Sequence, residues 1–400
     1  MGLSAVGRPD GMLRVGIVAG EPSGDQLGAS LIQGLRERVP DVQITAMAGP
    51  QMRRAGCLEV AGIESLSVMG LVEVMRHYPR LRRLRNTLLQ QFLELKPDVF
   101  VGIDVPDFVL HMERKLKAAG IPTVHVVCPQ VWAWRAGRIP AMRRAITRLL
   151  TLFPFETTFL AAHGIEARFV GHPLADRIPM EVDRAAAQAS LGLTPGNAPV
   201  VVLLPGSRRQ ETQLHLPLFL AAAKVLLLRL PDCRFLLGVV NESAAQQATV
   251  LAARAGIALQ IVIGQSIAAL SAADAALCVS GTITLEAALT KTPTVVAYKM
   301  SPVTYALLRR LVRVNYIALP NLLLGTPVIP EYIQAEATPE NLATALFDWL
   351  RDKARVLAFR SECLRLHQML RNNAGAAAAE AILALLREQA VRVRLPGEKA

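Results

Sequence analysis

Through most of its length the chain repeats one pattern: a short apolar run rich in β-branched residues, a turn marked by Gly or Pro, then an amphipathic stretch. The runs "LRVGIVAG", "QITAMAG", "PDVFVGID", "TVHVVCP", "LLTLFP" and "RFVGHP" fill the first part. After a charged, Pro- and Gly-containing stretch from about Asp176 to Pro199, the rhythm restarts with "PVVVLLPGS", "RFLLGVV", "LQIVIG", "DAALCVS" and "TPTVVAYK". Neighbouring parallel strands need a crossover, usually helical, so this alternation predicts an α/β fold with two doubly wound parallel sheets. The expected domains are residues 12–176 and 198–338, joined by the intervening stretch as a linker. Residues 339–389 read as helices without a strand of their own, packing back across a domain or onto a neighbouring protomer.

Hydrophobic residues make up 52% of the 400 and charged ones 19%, which excludes a disordered chain. A net charge of +12 favours an anionic partner. Five scattered cysteines, at 57, 128, 233, 278 and 363, form no CxxC pair and suit a reducing cytoplasm. Asp10 and Arg14 interrupt what would be the apolar core of an export signal. The charge-free run Ala255 to Ala273 contains Gln260, Gly264, Gln265, Ser266 and Ser271, and divides better into strand, turn and helix than into a membrane span.

In open parallel sheets ligands bind beyond the carboxyl ends of the strands, so the first strand-to-helix turn of each half draws attention. These turns are "AGEPSGDQLGA" and "LLPGSRRQ". Ser23-Gly24-Asp25-Gln26 and Ser207-Arg208-Arg209-Gln210 both fit the S-x-x-Q capping box, so each serine has a capping role open to it. Their charges are opposite. Arg208 and Arg209 beside a helix start suit a diphosphate or form a solvated arginine pair, the second reading fitting Arg209 better. Glu21 and Asp25 would repel phosphate and accept hydrogen bonds from hydroxyls. Gly20, Gly24 and Gly28 do not fit G-x-G-x-x-G, and no G-x-x-x-x-G-K-[ST] is present.

In "PDVFVGIDVPDF" Asp104 closes a strand, Pro106 is expected to hold Val105 extended, and Asp107 stands where a helix N-cap belongs. Asp104 is placed either to take a proton from a hydroxyl nucleophile or to bind nearby backbone amides. "CVSGTITLEAAL" repeats the arrangement in the second half: Ser280, Gly281 and Thr282 offer hydroxyls and free amides to phosphate or ribose before a helix carrying Glu286, although capping alone accounts for Thr282.

The segment from Leu66 joins dense apolar residues, among them Val68, Met69, Leu71, Val72 and Met75, to Arg80, Arg82, Arg83 and Arg85. That pairing suits an anionic membrane surface, while Leu81, Leu84, Leu88 and Phe92 equally fit a core-facing helix with a solvated basic face. No aromatic-interleaved basic motif points to nucleic acid. Trp132 and Trp134 could stack on a sugar, meet acyl chains or lie in a core; His125 and His172 read as structural. No metal-ligand spacing appears, and neither a metal nor another cofactor is expected.

Together "AGEPSGDQLGA", "LSVMGLVEV", "KPDVFVGIDVPDF", "VWAWR", "FPFE", "VGHPLAD", "LLPGSR", "SGTITLEAAL" and "LPNLLLGTPVIPE" resemble the lipid A disaccharide synthase family, from about residue 16 to 334. Ile283, Val105 and Cys128 depart from the family's commoner residues. The resemblance implies a GT-B fold, two Rossmann-like domains facing a cleft, and an inverting transfer of 2,3-diacylglucosamine from its UDP conjugate to the 6-hydroxyl of 2,3-diacylglucosamine 1-phosphate. It implies work at the cytoplasmic face of the inner membrane of Gram-negative bacteria, without nucleic acid. Asp104 is then the general base with Glu21 nearby; Ser23, Asp25 and Asp107 lie on the acceptor side. Ser207, Arg208, Ser280, Gly281, Thr282, Glu286, Asn321 and Gln334 fall to the UDP-sugar. The resemblance hints at a homodimer with exchanged C-terminal helices, which periodicity does not separate from intramolecular packing. Another UDP-sugar enzyme of this architecture, such as a 2-epimerase, or a non-catalytic UDP-sugar-binding membrane protein, would share the diphosphate half.

Overall fold

The computed structural model describes residues 11–66, 71–133, 136–194, 196–301, 304–306 and 314–394, with the side chains of 71–78 and 392–394 outside that set. The chain divides at Asp176/Arg177 and again at Met369/Leu370 into two compact units.

In the first unit, strands β1 (Arg14–Ala19), β2 (Gln43–Ala48), β3 (Leu58–Gly62), β4 (Val99–Ile103), β5 (Thr123–Val126), β6 (Arg148–Thr151) and β7 (Ala167–Phe169) form a parallel sheet. Its order is β3-β2-β1-β4-β5-β6-β7. Every residue of β4 and β5 is buried, as expected where helices cover both faces and apolar runs are continuous. The crossovers are α1 (Pro22–Arg38), α2 (Pro50–Arg54), α3 (Leu71–Leu95), α4 (Pro106–Ala118), α5 (Ile139–Ala145) and α6 (Pro154–Ala162), and α7 (Pro173–Arg177) ends the unit's first pass. Leu88 and Phe92 of α3 meet Phe108, Val109, Met112 and Leu116 of α4 on one face. On the other face, α1 packs beside the last helix of the chain, α16 (Ala374–Arg394).

That return is built into the sequence. Asp176, the last residue of "VGHPLAD", accepts from the N–H groups of Asn372, Asn373 and Ala374 at 3.1, 2.8 and 2.6 Å, capping the start of α16. A Cβ on Gly34 would lie 2.6 Å from the Gly375 carbonyl oxygen, and one on Gly375 would lie 2.4 Å from that of Ser30, so paired glycines let α1 and α16 touch backbone to backbone. Arg148 of β6, 4% exposed, donates to the Ala381 carbonyl at 3.0 Å and pairs with Glu388 at 2.7 Å. The C-terminal helix thus completes the first unit's core within the same chain, with Ala379, Ile382, Leu383 and Leu386 buried.

The second unit holds α8 (Arg184–Ser190), β8 (Val200–Leu204), α9 (Arg209–Arg229), β9 (Arg234–Val239), α10 (Glu242–Ala255), β10 (Gln260–Ile263), α11 (Ser266–Ala272), β11 (Ala275–Cys278), α12 (Thr282–Leu289) and β12 (Thr294–Tyr298). After these come α13 (Leu319–Leu324), β13 (Glu331–Ile333), α14 (Pro339–Arg351) and α15 (Lys353–Leu370). The sheet is parallel, in the order β10-β9-β8-β11-β12-β13. The connecting stretch is not bare linker: Asp183 caps α8 by accepting from Ala186 N at 2.9 Å, and Arg184 donates to the Ala272 carbonyl at 3.3 Å. The run from Ala255 divides into β10, a turn and α11, as its polar residues predict. Trp349 of α14 seals the sheet by donating to the Thr294 carbonyl at 3.1 Å.

Candidate active site

Strand order reverses beside β1 in the first sheet and beside β8 in the second, and such switch points leave a crevice at the carboxyl ends of the strands. In the first unit Ala19 lies opposite Ile103, so the residues that follow, Gly20-Glu21 and Asp104-Val105, leave the sheet side by side. In the second unit Leu204 lies opposite Cys278, which brings "PGSR" next to Ser280-Gly281-Thr282. Within each unit, then, the two motifs that sequence reasoning paired are neighbours.

Asp104 is half-buried, its N–H donating to the Val126 carbonyl at 3.0 Å. It has φ 54° and Val105 has φ 40°, two successive left-handed residues without a glycine. Such conformations cost about 1–3 kcal/mol each and persist where surrounding structure enforces them. Val105 is thus left-handed, not extended as the following proline predicts. The turn drives the Val105 side chain over Gly20, where an added Cβ would sit 2.7 Å from Val105 Cγ2. Among the described residues the Asp104 carboxylate has no hydrogen-bond or ion-pair partner.

Glu21 is the N-cap of α1, its exposed carboxylate making no capping bond, while Pro22 at the first helical position pre-sets the helix. Ser23 therefore lies inside the first turn, exposed, and does not cap. Asp25 also departs from expectation. It is 1% exposed and accepts from Gly49, Gln51 and Met52 N–H at 2.8, 2.8 and 3.0 Å, so its carboxylate anchors the start of α2 and has no acceptor-side face. Asp107 is not the N-cap of α4, because Pro106 begins that helix. It is 81% exposed and pairs with Arg138 at 2.5 Å.

In the second unit the N-cap of α9 is Arg208, not Ser207, since Glu211 is the residue three positions on that can return to the cap backbone. The Arg208 side chain is 81% exposed and holds Glu211 Oε1 at 2.8 Å; Ser207 is exposed beside it. Gly281, at φ 150°, is the N-cap of α12 in a region that favours glycine, with no side chain capping the helix and Thr282 exposed at its start. Ser280 Oγ donates to the Ile317 carbonyl at 2.6 Å, fixing the opposite loop. One turn into α12, Glu286 accepts from Ser266 Oγ at 2.6 Å; burial raises its pKa, with the Ser266 bond and the charge of Arg177 opposing.

Asn321 is fully buried and committed to structure. Its amide donates to the Ile329 carbonyl and Glu331 Oε1, both at 2.7 Å, and its oxygen accepts from Ile329 N at 2.8 Å. Glu331, which sequence reasoning did not single out, accepts in addition from Ile317 and Ala318 N–H at 2.9 Å and so holds the loop that Ser280 touches. Only its position ten residues after Asn321 in "LPNLLLGTPVIPE" could have suggested it. Gln334, at φ 53°, brackets Met300, donating to its carbonyl at 3.2 Å and facing its N–H at 3.5 Å. His215, also unanticipated, accepts from Lys299 N at Nε2 at 2.8 Å, so Nδ1 carries the proton donated to the Glu211 carbonyl. Burial lowers its pKa, and the ring stays neutral.

Of the membrane-facing residues, Val68 and Met69 lie outside the described residues, as do the side chains of Leu71, Val72 and Met75 in α3. Arg80, Arg82 and Arg83 are exposed on α3 and Arg85 is half-buried. Trp132 packs edge-on against Phe155 and donates to Glu156 Oε1 at 3.1 Å, which makes it a packing residue; Trp134 lies outside the described residues.

A family model for lipid-A-disaccharide synthetase matches residues 15–385. The chain belongs to the lipid-A-disaccharide synthase family. The lipid-A-disaccharide synthase of Alkalilimnicola ehrlichii is 47% identical over 381 residues, 93% of this chain and 98% of that protein. That of Pseudomonas aeruginosa strain UCBPP-PA14 is 48% identical over 375 residues, 94% of this chain and 98% of its own. Among solved structures, a UDP-GlcNAc 2-epimerase from Neisseria meningitidis bound to UDP-GlcNAc superposes with a TM-score of 0.62 at 11% identity, covering 94% of this chain and all of that one. The glycotransferase of kitacinnamycin gives 0.61 at 17% identity, covering 93% and 98%. These likenesses carry the fold, GT-B. The synthase is a glycosyltransferase of lipid A biosynthesis, joining two acylated glucosamines into the lipid A disaccharide.

Proposed function

We propose that Asp104 is the general base of this synthase, taking the proton of the 6-hydroxyl of 2,3-diacylglucosamine 1-phosphate as that oxygen attacks C1 of UDP-2,3-diacylglucosamine. The bond from C1 to the diphosphate breaks with inversion, and UDP leaves carrying the electron pair. The carrying observation is the Asp104 carboxylate itself: at the sheet's switch point, on a strained turn, and without a hydrogen-bond or ion-pair partner among the described residues. Glu21 lies at the adjacent strand end, where a carboxylate suits an acceptor hydroxyl.

Arg208, the start of α9 once Glu211 has moved aside, and the uncapped start of α12 receive the leaving diphosphate, acting as its charge develops. The diphosphate must displace Glu211 from Arg208, an exposed i,i+3 pair of the kind worth under about 1 kcal/mol. The hydroxyls of Ser207 and Thr282 and the N–H groups of Ser280 and Gly281 supply the remaining donors, since the Ser280 hydroxyl is held by the Ile317 carbonyl, and Glu286 serves the donor sugar or ribose. Asn321 and Gln334 serve the donor side by shaping its loops.

We assign the substrates' acyl chains to the face of α3, at an anionic inner-membrane surface on its cytoplasmic side. Arg114 and Lys115 of α4 are exposed and add to the arginines of α3. Burial first, then the charges of Arg85, Arg114, Lys115 and Arg82, lower the pKa of His111. The one described helix long and apolar enough to cross a membrane is α9, half buried within its own unit. Replacing Arg80, Arg82 and Arg83 by serine should weaken binding to vesicles containing anionic lipid in a salt-sensitive way; unaltered binding removes the surface assignment.

The decisive experiment incubates Asp104→Asn with both acylated glucosamine substrates and follows the product by mass spectrometry. Disaccharide formation should fall by roughly 100-fold or more, with UDP affinity within a few fold. Turnover at the wild-type rate refutes the assignment.

A further inference from the structure

One polar couple that has no role above lies in the first unit's core, two residues short of Asp104 in the sheet. Glu113 of α4 and His125 of β5 are both fully buried, with Nδ1 and Oε1 2.8 Å apart. His125 pairs in register with Gly102 of β4, and a Cβ at Gly102 would lie 2.4 Å from Glu113 Oε1. The glycine is what lets the carboxylate cross β4 to reach the ring. Two residues further along that strand stands Asp104, whose N–H is held by the carbonyl of Val126, the residue after His125.

Glu113 Oε2 and His125 Nε2 have no partner among the described residues. With the ring protonated, Nδ1–H donates to the carboxylate and Nε2 carries the second hydrogen; with the ring neutral, Nδ1–H still donates and Nε2 is bare. Packing alone gives no reason for this arrangement, since apolar side chains of similar volume hold a core at least as well as a buried ion pair.

We propose that Glu113 and His125 form a positioning couple for Asp104: Glu113 keeps a proton on the ring, and the imidazolium beneath the end of β4 favours the ionised Asp104 that accepts the substrate's proton. Burial disfavours the charged ring, but the Glu113 carboxylate by charge and hydrogen bond, and Asp104 by charge, together hold the His125 pKa above its ordinary value. Among the described residues these two, one from α4 and one from the end of β4, are the charged groups acting on the ring. The catalytic half of the proposal rests on Asp104 as the base; the electrostatic half does not.

Coupling of this kind is reciprocal, so removing either charge must change the affinity for the other. In the full-length protein with 15N-labelled histidine, assigned with His125→Asn, Asp104→Asn should lower the pH at which the ring loses its second proton by about half a unit or more. An unmoved midpoint overturns the proposal, whatever Asp104 does in catalysis. In Glu113→Gln, kcat should fall roughly tenfold at neutral pH with KM for the UDP-sugar unchanged, and the acid limb of kcat/KM should move to higher pH. A uniform loss across pH with the limb unmoved marks a structural couple and refutes the positioning role. Should Asp104→Asn retain turnover, the base assignment and the catalytic half fall together, while the ring titration still decides the coupling.

Discussion

Replacing Asp25 separates a structural carboxylate from a catalytic one. Its three acceptor bonds hold the N–H groups of Gly49, Gln51 and Met52; Gly49 and Met52 are buried, whereas Gln51 is exposed and can turn to water. Asp25→Ala orphans two buried donors at about 1–3 kcal/mol each and removes the cap of α2, for a loss of roughly 3–5 kcal/mol. In a unit of this size that corresponds to a fall of about 8–15 °C in the first unit's melting transition. Asp25→Asn keeps one acceptor but turns an amide toward a donor, so it should lose less, roughly 2 kcal/mol. Urea unfolding followed by circular dichroism, with kcat measured on the fraction that remains folded, reads both effects. Were Asp25→Ala to melt within about 1–2 °C of the wild type while kcat collapsed, the anchoring account would be wrong and a role toward the acceptor hydroxyl restored.

Gly375→Ala should destabilise the first unit by about 1–3 kcal/mol although alanine is the better helix former, because its Cβ would meet the Ser30 carbonyl and push α16 from α1; a variant more stable than wild type in urea would refute that close crossing. Glu156 gives a pH signature: burial, partly offset by hydrogen bonds from Trp132 and backbone amides, raises its pKa from 4.5 to about 7. Between those values the folded chain binds a proton that the unfolded chain has released, so its contribution to stability falls by up to about 3 kcal/mol as pH rises from 4.5 to 7 and is level above. The difference in unfolding free energy between wild type and Glu156→Gln should therefore vary over that range, and a pH-independent difference would show that the carboxyl does not titrate there.

The layered architecture was legible in local pattern alone. Alternating β-rich runs and amphipathic stretches leave a chain few ways to bury its apolar faces other than two parallel sheets, and a strand-to-helix turn in such a sheet must open at its carboxyl edge. For that reason Asp104, Glu21, Arg208 and Ser280-Gly281-Thr282 could be placed at switch points from local pattern, and the motif set sufficed to suggest the family. Which polar groups are already spent emerged only once the chain was folded. Asp25, Asn321 and Asp176 sit in motifs beside the site residues and resemble them in type, yet their partners come from residues 24, 8 and 196 or more positions away. Hydrogen bonds of that reach leave no periodic trace in a sequence. The same holds for Glu113 and His125: each reads as an ordinary member of its own helix or strand, and only parallel register, with a glycine between them, brings carboxylate and ring together across β4. Helix starts proved equally dependent on context, because Pro22 and Pro106 set the first turn before Ser23 or Asp107 could cap it.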